Sequence, residues 1–228
     1  MFYYYGSKKQ IIKHYPRPLH DTIIEPFAGA AAYSCHHTNW QKNIILVDKY
    51  DKIIEAWKYL ISANKKDILN LPDLFKGDNL KNYNQLSDQE KILIGFCINP
   101  GSTKGGKTVT TFGENSWNRK KRIISENVHK CNHWEIIHGS YKTLKNINAT
   151  WFIDPPYYNG GCHYKYSDID YNDLSKWCKS RNGQAIACEN ESGNWLDFKK
   201  LKRYFGAQKQ TVECIWTNNS GPHLNRAI

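Results

Sequence analysis

The sequence predicts an α/β fold in which a mostly parallel sheet carries helices on its faces. Short apolar runs alternate with amphipathic segments from Thr22 to Leu60, and the same character returns from Thr150 to Cys188. This alternation is typical of parallel strands joined by crossover helices. With 228 residues, of which 40% are hydrophobic, the chain is long enough for one main core and too short for two large domains.

The first of these stretches predicts, in order, a strand, a helix, a strand and a helix. The apolar pair Ile23-Ile24 precedes a turn at Gly29 and an Ala-rich stretch, and a second apolar run covers residues 44–47. Amphipathic spacing then predicts a helix over Lys52 to Ile61.

The second stretch begins with the apolar run Trp151 to Ile153, which predicts a buried strand. A helix is expected over residues 172–179 and another strand over 184–188. Farther along, residues 196–201 predict a helix and residues 211–216 alternate as a strand. We expect the tail from residue 218 onward to be frayed.

Between about residues 62 and 138 the alternation is lost, charge and Asn increase, and residues 101–107 are typical of a flexible loop. We therefore predict a catalytic, cofactor-binding domain made of residues 1–61 and 137–228. Residues 62–136 are then a small inserted lobe.

The charge of the chain favours a polyanionic partner. Thirty-two Lys and Arg stand against 21 Asp and Glu, which gives a net charge of +11. Nucleic acid is the obvious candidate, and a basic solubilising surface without a ligand is the alternative.

The chain shows no pattern of a membrane or secreted protein. Its apolar runs are far shorter than the roughly 20 residues of a membrane helix, and the first residues lack the pattern of a signal peptide. We expect a soluble protein in a reducing compartment. The seven cysteines are scattered and never form a C-x-x-C pair, which favours free thiols over a disulfide framework or a zinc site.

The strongest chemical signal is Asp154-Pro155-Pro156-Tyr157, directly after the apolar run. A strand there would project Asp154 into the crevice where open α/β sheets bind ligands. The prolines fix an extended backbone without N–H groups and leave carbonyl oxygens as acceptors. Asp154 and the Pro155 carbonyl could together accept both hydrogens of a nucleobase amino group, and Tyr157 offers a face for an extruded base. The alternative is a proline turn that closes a strand.

A second signal is the loop from Glu25 to Ala31 together with Asp48. The single Gly29 with small neighbours lets the backbone approach a ligand, but the G-x-G-x-x-G pattern of dinucleotide sites is absent. Asp48, at the end of the next strand, stands where an acid accepts hydrogen bonds from ribose hydroxyls. A nucleoside-containing cofactor without phosphates fits both observations.

These motifs, together with the amino-terminal Tyr4-Tyr5-Gly6-Ser7-Lys8, resemble the N6-adenine DNA methyltransferases of the Dam-like alpha group. The order is also that of the family, with the cofactor loop first, the target-recognition insertion next and the D-P-P-Y strand last. The resemblance covers roughly residues 3–61 and 137–217 and is weak in between. It implies a Rossmann-like, mostly parallel sheet with an antiparallel C-terminal strand and a small inserted target-recognition lobe.

The resemblance further implies S-adenosylmethionine as the cofactor, DNA as the partner, and no metal or obligate protein partner. The catalytic residues that it implies are Asp154, Pro155, Pro156 and Tyr157. Those implied for the cofactor are Tyr4 (with Tyr5 as the alternative), Lys8, Glu25, Phe27, Ala28, Gly29, Asp48, Tyr141 and Asp154. Tyr141 ends His138-Gly139-Ser140-Tyr141, which is similar to the segment that covers the cofactor's adenine, although Ser140 stands at an often acidic position.

The inserted lobe holds the predicted DNA contacts. Residues 112–122 mix aromatic, amide and basic side chains, which suit phosphate contacts and the reading of base edges. A solvated charge run beside a packed Trp is the equally weighted alternative. The residues assigned to DNA are Lys104, Lys107, Asn118, Arg119, Lys120, Lys121 and Arg122.

Two other motifs are set aside. Residues 101–108 spell the P-loop pattern G-x-x-x-x-G-K-T, but the β-branched residues and Gly113 that follow argue against the helix that a P-loop must open into. Cys35-His36-His37 and the segment 129–133 lack the paired spacing of a zinc site.

We therefore expect a cytoplasmic restriction-modification, phage or orphan enzyme that flips adenine out of DNA and methylates its N6 amino group. One alternative is a methyltransferase for RNA or another amino group. The other is a DNA-binding module whose methyltransferase site is vestigial.

Overall fold

In the described part of the chain, one sheet has seven strands in the order β3-β2-β1-β4-β5-β7-β6. The fold is that of a computed structural model, which describes residues 1–205 and 210–218. The first five strands in this order run parallel, and β7 runs antiparallel to both of its neighbours. This confirms the predicted mostly parallel sheet with an antiparallel C-terminal strand. The strands are β1 (Thr22–Glu25), β2 (Asn43–Asp48), β3 (Glu135–His138), β4 (Ala149–Ile153), β5 (Gly183–Asn190), β6 (Lys199–Phe205) and β7 (Gln210–Thr217).

Side chains of the central strands alternate between two apolar layers, one on each face of the sheet. On β4, Phe152 belongs to the larger cluster, whereas Trp151 and Ile153 belong to the other. All five residues of β4 are buried. A strand that is covered on both faces reads as a continuous apolar run, which is why the sequence pattern identified it.

Five α-helices accompany the sheet in the part of the chain that the structure describes. The helices predicted over residues 52–61 and 172–179 are confirmed. The helices are α1 (Asp51–Ser62), α2 (Lys65–Asn70), α3 (Asp88–Ile98), α4 (Thr111–Asn127) and α5 (Tyr171–Lys179). Helices α2 and α3 begin at capping boxes, in which Asn64 and Ser87 accept backbone N–H groups of the first turn.

The segment between α1 and β3 is largely helical and shares a core with the sheet. Phe96 of α3 and Trp117 of α4 belong to the same apolar cluster as Trp57 of α1 and Phe152 of β4. Helix α3 packs against both α1 and α4, and all three helices contribute apolar side chains to this cluster.

The helix expected in the Ala-rich stretch after β1 does not form. Gly29 and Ala31 adopt positive φ angles of 46° and 45°, which no α-helix accommodates. The chain makes consecutive turns instead, followed by a short 3-10 helix at Asn39–Gln41. The prediction was wrong because helix propensity is weaker than the constraint that the turn at Gly29 imposes.

The helix expected over residues 196–201 is also wrong. Trp195 and Leu196 are buried in the second apolar cluster, and strand β6 then begins at Lys199. Its residues pair with β7, with Arg203 opposite Val212. Pairing with a neighbour from later in the chain therefore decided this segment, which local periodicity could not show.

The P-loop pattern is followed by a helix after all, since α4 begins at Thr111 with Thr110 as its N-cap. Gly113 lies inside its first turn. Backbone N–H groups of the pattern are nevertheless bound within the protein: Ser102 N donates to Asn99 O over 3.2 Å and Gly106 N donates to Gly95 O over 2.8 Å. These donors form no phosphate cradle of the P-loop kind. Of the tail that was expected to be frayed from residue 218 onward, residues 219–228 lie outside the described residues. Asn218 itself accepts a hydrogen bond from Ala185 N and donates one to Gly183 O.

Candidate active site

A cleft opens at the carboxyl ends of β1, β2 and β4, with a volume of about 330 Å³. Glu25 is the last residue of β1, Asp48 is the last residue of β2, and Asp154 follows β4. All three line the cleft. They meet because parallel neighbouring strands end at one edge of the sheet, which is where open α/β sheets bind ligands.

Asp48 holds the glycine loop in place. Its Oδ2 accepts a hydrogen bond from Gly29 N over 3.0 Å, and its Oδ1 accepts one from Tyr50 N over 2.8 Å. Burial raises the pKa of Asp48 to about 6, although these backbone hydrogen bonds lower it. A Cβ at Gly29 would lie 3.1 Å from the Tyr4 ring. On the other side, Trp57 Nε1 donates to Gly29 O over 2.9 Å, a support that the sequence analysis missed.

Aromatic rings form one wall of the cleft. Phe27 and Tyr141 pack with ring centroids 5.5 Å apart, and Tyr141 is held by its hydroxyl, which donates to Asp173 over 2.7 Å. Trp177 of α5 packs edge-on against Tyr141. Such a wall presents a flat apolar surface to a ligand while its polar hydroxyl is already bound.

Asp154 is paired with Lys8 from the amino-terminal segment. Lys8 Nζ lies 2.7 Å from Asp154 Oδ1, and it also donates to Gly6 O over 3.0 Å. Burial raises the pKa of Asp154, and the ammonium of Lys8 partly offsets this rise. Burial is the largest single effect on Lys8 and opposes its charge, but the attractions to Asp154, Glu213 and other nearby groups together outweigh it and raise the pKa of Lys8 well above its usual value.

The residues after Asp154 are fixed by contacts from other elements. Pro155 and Pro156 are buried, and the Pro156 carbonyl accepts a hydrogen bond from the Tyr171 hydroxyl. Tyr157 is half-buried, with Lys8 Nζ 4.6 Å from its ring centroid. Its hydroxyl donates to Glu213 Oε1 over 2.6 Å. The sequence placed Tyr157 here but gave no sign of its partner on β7.

Glu25, at the floor of the cleft, is almost fully buried and accepts a hydrogen bond from Ser34 N over 2.8 Å. Burial raises the pKa of Glu25 to about 8. The cleft therefore contains three buried carboxyl groups, of which Asp154 has Lys8 beside it, whereas the charges of Glu25 and Asp48 are costly without a nearby cation. Of the predicted cofactor residues, Tyr4, Lys8, Glu25, Phe27, Ala28, Gly29, Asp48, Tyr141 and Asp154 all line this cleft, as does the alternative Tyr5.

A wide groove of about 2100 Å³ adjoins the cleft and shares residues 4–8, Ala30, Ala32 and Tyr164 with it. Tyr157 lines the groove. Its basic residues are Lys8, Lys9, Lys13, Lys104, Lys120 and Lys130. A polyanion laid along this groove would therefore pass beside the D-P-P-Y segment.

Only two of the predicted DNA residues, Lys104 and Lys120, line the groove. Lys104 is exposed in the groove, and Lys120 also reaches it, although Lys120 is mostly buried and its Nζ lies 4.3 Å from the Tyr3 ring centroid. Burial lowers the pKa of Lys120. Arg119 is exposed and donates to the Tyr3 hydroxyl over 3.1 Å. Lys107 and Arg122 are exposed outside the residues that line the groove.

Two of these residues, Lys121 and Asn118, make their contacts inside the helical segment between α1 and β3. Lys121 is buried, and its ammonium binds Leu71 O and the Asp73 carboxylate. Asn118 exchanges hydrogen bonds with the backbone of Leu74, accepting from its N–H and donating to its carbonyl. On a helix that packs against the core, every third or fourth residue turns inward, and composition alone does not distinguish those from the exposed ones.

Within residues 1–205 and 210–218, no cluster of three or more His, Cys, Asp and Glu side chains is arranged to hold a metal ion. Over the same part of the chain, no helix combines the length and the apolar character that a membrane span requires. All seven cysteines lie in this part and are free thiols.

Residues 4–93 match the family model of the D12 class N6 adenine-specific DNA methyltransferase. The resemblance inferred from the sequence is confirmed over this segment, which includes the amino-terminal motif, the glycine loop and Asp48. The match supports assignment to the methyltransferases as a broad class of enzyme. A comparison with curated proteins finds no match.

Three solved structures are similar over most of their length. A conserved protein of Streptococcus pyogenes without assigned activity is 8% identical (TM-score 0.34; 85% of this chain, 84% of that one). A candidate methyltransferase of Escherichia coli, yhhF, is 7% identical (TM-score 0.36; 91% and 78%). A candidate methylase of Haemophilus influenzae is 11% identical (TM-score 0.37; 92% and 83%). Because all three TM-scores lie below 0.5, the fold is assigned from this chain's own strand order.

Proposed function

We propose that this protein is an S-adenosylmethionine-dependent methyltransferase that acts on the N6 amino group of adenine in DNA after flipping the base out of the duplex. The observation that carries the proposal is the single cleft lined by Asp48, Asp154 and the glycine loop. These groups come from distant parts of the chain. The family match covers the glycine loop and Asp48 and does not extend to Asp154.

The residues of the cleft fit S-adenosylmethionine. The volume of the cleft lies within the range of roughly 300–1,000 Å³ that is typical of small-molecule sites. Each oxygen of Asp48 accepts one backbone N–H and has a further lone pair for a ribose hydroxyl. The wall of Phe27 and Tyr141 suits the adenine ring. The carboxylate of Asp154 favours the positive charges of the sulfonium and amino groups, and a cation bound beside Glu25 would favour ionisation of that buried carboxyl group as well.

When bound, S-adenosylmethionine supplies an electrophilic methyl group. Asp154 would accept one N–H of the target amine and the Pro155 carbonyl the other, which directs the nitrogen lone pair toward that methyl group. Since Lys8 binds Oδ1 of Asp154, we assign the amine to Oδ2. Transfer would break the methyl–sulfur bond as the C–N bond forms, and the proton of the methylated amine would pass to Asp154 Oδ2, which already accepts that N–H. The protein contributes mainly alignment and exclusion of water.

The wide groove is the proposed path of the DNA. Lys9, Lys13 and Lys104 are exposed along it and would contact phosphates. Flipping one adenine costs a few kcal/mol, which phosphate contacts and stacking against Tyr157 would offset. The half-buried ring of Tyr157 lines this groove directly after Asp154, where a flipped base would arrive.

The test is methyl transfer from methyl-labelled cofactor to duplex DNA, single-stranded DNA and RNA, followed by nucleoside analysis. We expect N6-methyladenine in DNA and none in RNA. Asp154→Asn, which keeps the size of the side chain, is the matched control without activity. Label confined to RNA would favour an RNA methyltransferase. A protein that binds the cofactor and DNA but transfers no label would be a DNA-binding module, and either result contradicts the proposal.

A further inference from the structure

Glu213 is a fully buried carboxylate on β7 that the proposed chemistry does not use. It lies opposite Asn190 of β5, and its neighbours Val212 and Cys214 are buried apolar residues. Burial raises the pKa of Glu213. An acid inside a strand of this kind destabilises the fold unless its charge or its hydrogen bonds are compensated. The partners of Glu213 therefore indicate what it does.

Two tyrosine hydroxyls converge on one oxygen of Glu213. Tyr15 donates to Oε1 over 2.5 Å, and Tyr157 donates to the same atom over 2.6 Å. The other oxygen, Oε2, has no hydrogen-bond partner within the described part of the chain. Hydrogen bonds from hydroxyls to a carboxylate are short and stronger than neutral ones. The Tyr157 hydroxyl is thus tied to an element that belongs to the rigid sheet.

Tyr157 is held at both its hydroxyl and its ring face. Glu213 binds the hydroxyl, and the Lys8 ammonium lies over the ring. Lys8 in turn pairs with Asp154 over 2.7 Å. One chain of contacts therefore runs from Glu213 through Tyr157 and Lys8 to Asp154. These contacts restrict the tyrosine to one orientation before any ligand binds.

We propose that Glu213 is a positioning residue for amine methylation, because it holds the Tyr157 hydroxyl and so fixes the ring that receives the target base beside Asp154. The inference rests on the proposed function, since only a base-methylating enzyme needs that ring. A side chain that is ordered in advance lowers the entropic cost of aligning the base with the methyl group.

The hydrogen bonds themselves can be tested without activity, by proton NMR of the tyrosine hydroxyls. We expect two slowly exchanging, low-field hydroxyl signals in the wild-type protein, which Tyr15→Phe and Tyr157→Phe assign. Glu213→Gln keeps an oxygen acceptor without the charge, so both signals should remain and move to higher field. Glu213→Met should remove both. Absence of the Tyr157 signal in the wild type, or a signal that Glu213→Gln does not move, would overturn the proposal even if Glu213→Met fails to fold.

Single-turnover methyl transfer tests the consequence. Loss of one charge-assisted hydrogen bond corresponds to about a tenfold lower rate, so we expect this loss in Tyr157→Phe and in Glu213→Met, with cofactor affinity changed less than about twofold. The double variant should be no slower than either single one. Tyr15→Phe removes the other hydrogen bond to the same oxygen and serves as the matched control, with a rate close to wild type. Glu213→Gln should restore most of the rate.

Two kinetic results would contradict the role of Glu213. One is an additive loss in the double variant, and the other is an equal loss in Tyr15→Phe, which would indicate a merely structural carboxylate. A wild-type protein that transfers no methyl group would instead refute the proposed function. The NMR result would then show separately whether Glu213 fixes Tyr157.

Discussion

Glu25 makes the stability of this protein decrease with rising pH over a range in which an exposed carboxylate would have no effect. The side chain is almost fully buried, and burial raises its pKa from 4.5 to about 8. The unfolded chain loses this proton near pH 4.5, whereas the folded protein keeps it up to about pH 8. Between these values the folded state binds more protons, so the free energy of unfolding falls by about 1.4 kcal/mol per pH unit.

Over the whole window the loss amounts to about 5 kcal/mol. Below pH 4.5 Glu25 is protonated in both states, so its titration does not lower the free energy of unfolding there. Above pH 8 both states are ionised and the loss is complete. Glu25→Gln removes the titration but retains an oxygen that accepts from Ser34 N. The variant should therefore be more stable than wild type, by a margin that widens from pH 5 to pH 8.

The assay is urea unfolding of both proteins at pH 5, 6, 7 and 8, in which the difference between the two cancels the titration of other groups. Glu126 is exposed, so Glu126→Gln provides a control for loss of a carboxylate charge alone. Parallel stability curves for wild type and Glu25→Gln would refute the reasoning. They would mean that Glu25 is paired with a cation or reached by water in the folded protein.

Three further predictions concern the proposed function. Asp154→Asn should reduce methyl transfer by at least about 100-fold while circular dichroism stays unchanged, and an active variant would remove Asp154 from the chemistry. Asp48→Ala leaves the N–H of Gly29 without its acceptor. Calorimetry should therefore show cofactor binding weakened by about tenfold or more, with DNA affinity unaltered. A cofactor affinity equal to that of the wild type would exclude the ribose contact. Lys104→Gln should lower by about one unit the slope with which log DNA affinity falls against log salt concentration. Lys121→Gln should lower the free energy of unfolding, because it removes the ion pair with Asp73, and leave that slope unchanged. The reverse pattern would place the DNA elsewhere.

Local pattern was sufficient for the strands that position the site. The run from Trp151 to Ile153 is buried on both faces and therefore continuous in its hydrophobicity, which placed Asp154 correctly at a strand end. The strand that ends at Asp48 was predicted correctly for the same reason. Local pattern failed where a partner from a distant part of the chain decided the structure. Strand β6 forms because it pairs with β7, and nothing within residues 196–201 records that pairing.

The sequence by itself determined the parallel sheet, the acids at its carboxyl edge and the order of the motifs, because these depend on periodicity and on residues a few positions apart. Only the tertiary structure decided which basic residues face the groove and which, like Lys121, bind inside. It alone showed that Trp57 supports the glycine loop and that Glu213 holds Tyr157. Such contacts join residues far apart in the chain, and the position and burial of both partners arise only when the core has packed.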